Sequence, residues 1–188
     1  SGLYHVERLS LTNKLTQADG TLITSGEYPL GASNNATGLN AISFGRLNFA
    51  TGEGSLAVGG KNNSKGAYAS SFGYDNTSST NYCSAFGYQN QATGYGASAF
   101  GYINRAGAQA SSFGYNNRAS GANSLAIGFK NKSYADNVAN VGYQNVVSSI
   151  DSTAIGRSNV IPESCTSSTA VGKGNSAVGA TDSHCFGG

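Results

Sequence analysis

Methionine and tryptophan are absent from this 188-residue chain, and proline (2), histidine (2) and cysteine (3) are scarce. Charged residues make up only 11%, and the formal net charge is +2. Each shortage excludes something. Low charge argues against a disordered chain, which needs high charge and little apolar content. No run of lysine or arginine forms a nucleic-acid footprint. No apolar stretch is long enough to span a membrane, so direct insertion of this segment is not expected. Cys83, Cys165 and Cys185 are odd in number and irregular in spacing, which fits neither a disulfide framework nor a zinc site. They read as free thiols or as one bridge, within a chain or between chains. Glycine is plentiful at 27, but it lacks the every-third spacing of collagen.

What is present is a repeat. An apolar residue followed by glycine recurs at Leu30-Gly31, Phe44-Gly45, Val58-Gly59, Phe72-Gly73, Phe86-Gly87, Phe100-Gly101, Phe113-Gly114, Ile127-Gly128, Val141-Gly142, Ile155-Gly156 and Val171-Gly172. The spacing is 14 residues, with one step of 13 and a last step of 16. Three residues after each glycine stands an asparagine, from Asn34 and Asn48 through to Asn159 and Asn175. Half a period on, Ala36-Thr37-Gly38 recurs as Ala50-Thr51-Gly52, Ala92-Thr93-Gly94 and Ala119-Ser120-Gly121. Internal periodicity of this kind decides the architecture before any local preference does.

Each half of the unit, about seven residues, holds one short strand and one turn. The stretch Ser124-Leu125-Ala126-Ile127-Gly128 alternates large and small side chains, the two-residue period of a strand. Asparagine and glycine suit turns because both tolerate positive φ. Asparagines one coil apart would lie about 4.8 Å from each other, close enough for an amide ladder. The expected fold is all-β, a parallel β-roll solenoid of about 11 coils of 14 residues. Eleven coils make a rod of roughly 50 Å. So thin a coil has room for Ala, Ser and an occasional Val, Ile or Phe. It leaves an apolar side facing water, so several chains are expected to pack around a cyclic axis.

The units Ala119-Ser120-Gly121-Ala122-Asn123-Ser124-Leu125-Ala126-Ile127-Gly128, Ser152-Thr153-Ala154-Ile155-Gly156 and Ser168-Thr169-Ala170-Val171-Gly172 resemble the head repeats of trimeric autotransporter adhesins, the YadA-like heads. The resemblance covers about residues 30–180. It implies a left-handed roll, a homotrimer, a location on the bacterial cell surface, and attachment to a glycan or protein receptor on host surfaces. Bacteriophage tail fibres carry similar repeats, which leaves a receptor-binding or shaft segment on a virion as an alternative, and a purely structural spacer as another. The chain then divides into a cap or connector (1–29), the roll (30–180) and a C-terminal tail (181–188). Within the cap, Val6, Leu9, Leu11 and Leu15 suit a short helix or two strands, and Ala18-Asp19-Gly20-Thr21 suits a hairpin turn. The segment around Pro162 and Cys165 reads as a loop inserted into the roll.

Two groups of side chains stand out. Tyr74, Tyr88, Tyr102, Tyr115 and Tyr143, with Phe129 among them, follow the repeat glycine and should stack along the rod, either between chains or as an exposed strip. If the strand runs straight past the glycine, they share a face with the apolar residue before it. Tyr68, Tyr82, Tyr95 and Tyr134 fall near the half-period turns. Lys61, Arg105, Arg118 and Lys130, together with Lys65 and Lys132, are also assigned to turns. These are the candidate binding residues, against the plainer role of a solvated face. No enzyme is expected: His5 and His184 lie far apart in the chain, and carboxylates are not paired at any useful spacing. Metal and cofactor are expected to be absent, since calcium-binding rolls need an aspartate in each repeat and this chain has five.

Overall fold

The computed structural model describes residues 28–179 and 181–188, with the two-residue strands Leu15–Thr16 and Leu22–Ile23. Those two strands pair antiparallel, Leu15 opposite Ile23. The expected turn at 18–21, the alternative of a helix near the start, and His5 lie outside the described residues. Among the described residues there is no helix.

The repeat folds as a parallel β-solenoid of about 11 turns. Each coil contributes a five-residue strand such as Ser98–Tyr102, a turn, a two-residue strand such as Arg105–Ala106, and a second turn. The long strands stack into a 12-stranded sheet and the short ones into a 10-stranded sheet. Register follows the repeat: Phe86 pairs with Phe100, Gly87 with Gly101 and Tyr88 with Tyr102. The 13-residue step keeps it, with Phe100 opposite Phe113. So does the 16-residue step, with Ile155 opposite Val171, because the extra residues lie in the loop that holds Pro162 and Cys165. Residues His184–Gly187, set apart in the sequence as a tail, form the last strand of the long sheet, Phe186 opposite Val171.

Strand alternation decides what goes inside. In Ser98–Tyr102 the small Ala99 is fully buried, whereas Phe100 points outward and is partly exposed. Four columns fill the interior. Two are Ala or Ser on the long-strand side, one is the repeat asparagine, and one is mostly Ala or Ser on the short strand, as in Ala92 and Ala106. Val138, Val147 and Ile161 are the largest aliphatic side chains wholly inside. The expectation of an occasional buried phenylalanine is corrected: no described phenylalanine is buried, because a coil of this girth admits only short side chains between its sheets. The outer face of the long sheet therefore carries an apolar column through Phe44, Phe72, Phe86, Phe100, Phe113, Ile127 and Ile155. Successive Phe72, Phe86, Phe100 and Phe113 rings stack at 4.7, 4.8 and 5.2 Å. Cys83 and Cys165 are buried thiols and Cys185 a half-buried one, all unbridged; Cys83 occupies an Ala/Ser position.

The asparagine column is an amide ladder, with side-chain-to-side-chain bonds at every step except Asn131 to Asn145 and Asn159 to Asn175, which the backbone N–H alone bridges. The Asn90 side-chain nitrogen donates toward Asn76 Oδ1 (3.1 Å), the Phe86 carbonyl (2.8 Å) and the Gly101 carbonyl (2.6 Å). Its Oδ1 accepts from the backbone N–H of Asn104 (2.9 Å) and from the Asn104 amide (3.1 Å). The backbone half of this pattern recurs at every step from Asn48 to Asn175. Each amide thus closes the bend in its own coil and joins two others. The asparagines are not the positive-φ residues of the turn, as expected from their conformational tolerance. That conformation falls on the residue just before, including Lys61, Gln89, Ile103 and Lys130 at φ between 53° and 56°. The asparagine is required for its side chain, not for its backbone.

Glycine at the bend is required on two counts. Gly87 has φ +115°, and a Cβ there would run into the Gly101 carbonyl of the next coil. A carbonyl packed against the glycine is also one of the Asn90 acceptors.

Asn90→Ala should destabilise the roll by about 3 kcal/mol, since it leaves the Asn104 N–H without its acceptor and takes one donor each from the Phe86 and Gly101 carbonyls. Asn90→Asp should be worse, because it sets a buried carboxylate oxygen against three acceptor oxygens. Chemical denaturation of the two variants checks the order. Equal losses would mean that the site tolerates the loss of its donor.

Candidate functional surfaces

The candidate residues do not converge on one site. They separate onto three surfaces set by their place in the coil.

The first is a half-period turn. Tyr68, Tyr82 and Tyr95 are 51%, 54% and 55% exposed. Tyr68 and Tyr82 stack at 5.5 Å with planes 10° apart, and Tyr95 meets Tyr82 edge-on at 5.6 Å. Both stacked tyrosines have positive φ, 56° and 59°, a conformation unfavourable to bulky side chains. The Tyr68 hydroxyl donates to Glu53 Oε1 at 3.3 Å. The charge of that carboxylate, and then its hydrogen bond, hold the Tyr68 phenol above its ordinary pKa. The sequence placed these tyrosines near turns correctly but gave no sign of Glu53, which lies 15 residues before Tyr68 and one coil away.

The second surface is the aromatic ladder beside the repeat glycine. Tyr74, Tyr88, Tyr102, Tyr115, Phe129 and Tyr143 stack in register at 4.9–5.6 Å with planes 4–13° apart. Cations lie over it: Lys61 Nζ is 5.4 Å from the Tyr74 ring, Lys130 Nζ 5.0 Å from Phe129, and the Arg157 guanidinium 5.2 Å from Tyr143. Contact with the Tyr74 hydroxyl raises the Lys61 pKa above its ordinary value. The tyrosines are about two-fifths exposed in the single chain. The repeat glycines all carry φ between +111° and +131°, so the strand does not run straight past them. The inference that these tyrosines share a face with the preceding apolar residue loses its premise.

The third surface lies on the outside of the short-strand sheet. Arg105, Arg118 and Lys132 belong to short strands, not to turns as expected, and are paired in register. Their side chains point out because their strand neighbours Ala106, Ala119 and Ser133 point in. Arg118 donates through Nε to Ser120 Oγ at 2.7 Å, and its guanidinium lies 5.4 Å from the Tyr134 ring. Lys132 joins this column only once the register is known. No group of three or more His, Cys, Asp or Glu suited to a metal occurs among the described residues. Among the described residues no helix is long and apolar enough to cross a membrane.

The family model of the YadA head domain repeat matches residues 50–81, 84–102 and 106–131. No curated protein matches the chain. The matched coils contain most of the residues on the three surfaces.

The Tyr68–Glu53 pair is open to titration. Glu53→Gln should bring one tyrosine back down to the ordinary phenol range, read by phenolate absorbance against pH. An unchanged titration curve would mean that the pair does not persist in solution.

Proposed function

We propose that this chain, whose residues 50–131 are a run of YadA-type head repeats, is the attachment segment of a surface adhesin and acts as a homotrimer. The family is one of cell-surface, extracellular attachment proteins, and both its repeat and the solenoid are of non-enzymatic kinds. The observation that carries the trimer is the outward apolar column of the long sheet. Phe44, Ile155 and Phe186 are 54%, 45% and 72% exposed in the single chain, and the column runs along the roll. A contiguous apolar strip of this kind marks an interface, and cyclic symmetry closes it. Three chains bring their phenylalanine columns together on the axis, and the tyrosine ladder flanks the contact.

The turn tyrosines then face outward in three copies. Tyr68, Tyr82 and Tyr95 offer flat apolar faces with polar edges, suited to a host-surface receptor of sugar or protein. Three copies on a rigid rod turn weak single contacts into firm attachment. Anchoring to a bacterial outer membrane belongs to this reading and would rest on parts of the protein beyond the roll.

Light scattering should give three times the chain mass at micromolar concentration. The double substitution Phe86→Glu/Phe100→Glu should give a monomer whose β-sheet circular dichroism is retained, because neither side chain enters the interior. A wild-type monomer would refute the assembly. Tyr82→Ala/Tyr95→Ala, with the trimer intact, should reduce attachment to host cells by about tenfold. Undiminished attachment would leave the roll a spacer.

A further inference from the structure

We propose that the column Arg105–Arg118–Lys132, with Gln91 and Tyr134 at its margins, binds a linear anionic polysaccharide laid along the axis of the rod. This extends the attachment reading by naming a ligand class and a second surface, away from the turn tyrosines.

The first observation is a repulsion that nothing among the described residues relieves. Three cations stand directly opposite one another on adjacent strands, about 4.8 Å apart at their backbones. Like charges directly across strands are destabilising. Among the described residues none of the three has an ion-pair partner, and Arg118 meets the Ser120 hydroxyl and the Tyr134 ring. The remaining positions of this column are uncharged, among them Asn35, Phe49, Asn63, Thr77, Gln91, Val146 and Val160. The charge is therefore concentrated in three consecutive coils of a chain with a net charge of only +2.

The second observation is shape. Two adjoining hollows of ≈ 250 and ≈ 310 Å³ share Arg105 and Arg118. One reaches Gln91 and Ser120, and the other reaches Asn116, Lys132 and Tyr134. Together they form an open trough that crosses the strands, parallel to the rod axis. Each is at or just below the lower end of the volumes of pockets that hold compact ligands, about 300 Å³, so an elongated ligand spanning both fits better. The Arg118 fork is held in place from two sides, which reduces the entropy lost on binding.

The third observation is the chemistry of the lining. Guanidinium groups bind sulfate or carboxylate in paired hydrogen bonds. The flanking Thr93 and Ser120 hydroxyls and the Gln91 and Asn116 amides suit sugar hydroxyls, and the Tyr134 ring offers a face on which a sugar can rest. A peptide would need apolar anchor pockets, and this trough has none. A polymer with charges at a regular interval matches cations at a regular interval.

The test uses the whole chain with dextran sulfate as probe and neutral dextran, poly-glutamate and single-stranded DNA as comparisons, measured by calorimetry at physiological salt. Dextran sulfate should bind and the others should bind much more weakly. Arg105→Gln/Arg118→Gln/Lys132→Gln should weaken binding by at least about tenfold. Arg46→Gln/Arg157→Gln/Lys173→Gln removes the same charge from the long-strand sheet and should change it little. Because repulsion is relieved, the first triple variant should melt no lower than the wild type, so lost binding cannot be ascribed to misfolding. Equal loss in both triple variants, no binding of dextran sulfate, or equal binding of poly-glutamate or DNA would overturn the proposal. Host-cell attachment measured alongside keeps the two readings apart. Attachment that survives the column variant but fails with Tyr82→Ala/Tyr95→Ala would leave the adhesin reading intact without the polysaccharide site.

Discussion

The asparagine ladder is the interaction on which the rest of this molecule depends. A 14-residue coil encloses almost no apolar volume, so its interior is mostly Ala, Ser and Asn rather than Leu or Phe. Burial of side chains that small contributes little. Order must come instead from hydrogen bonds that repeat without interruption. The backbone supplies two parallel sheets, and the asparagines stitch the bend between them. Each buried amide is satisfied only if its neighbours above and below are in place. Stability on this plan is a nearest-neighbour property, as in other solenoids, and every coil imposes its register on the next.

From that constraint the surfaces follow. Since large side chains cannot go in, they go out. Phenylalanine leaves the long sheet with an apolar column, tyrosine forms a second stack beside it, and the basic residues of the short strands line up on the opposite sheet. Register turns a residue that is merely frequent in sequence into a continuous row in space. A single tyrosine on a loop is unremarkable. Six aromatic rings in line, capped by Lys61 and Arg157, form a defined surface. The same logic makes the unrelieved charge of Arg105, Arg118 and Lys132 informative.

Much of this was legible in the sequence. The apolar-glycine marker gave the coil count, and the asparagine spacing gave the ladder. What was misread depended on which way side chains face inside a coil. Phe was admitted to the interior because alternation does not say which of its two faces is narrow. Asparagine was credited with positive φ, whereas Gln89 and Ile103 carry it, because the sequence marks the position without saying which property is used. The tail was cut off because the regular spacing breaks down after Gly172, with the next apolar-glycine pairs seven and 15 residues on at Gly179 and Gly187. Only the strand pairing restores it. Glu53 escaped notice, and Lys132 was put on a turn, because their partners, Tyr68 and Arg118, are neighbours across coils, which local patterns do not reveal.

Hydrogen exchange of the asparagine side-chain amides tests the central claim most directly. If the ladder holds the roll together, the Nδ2 protons of Asn62, Asn76, Asn90 and Asn104 exchange as slowly as the backbone amides of the long strands, and they lose protection together when one asparagine is replaced. Fast exchange of those protons in a roll whose backbone amides stay protected would contradict it.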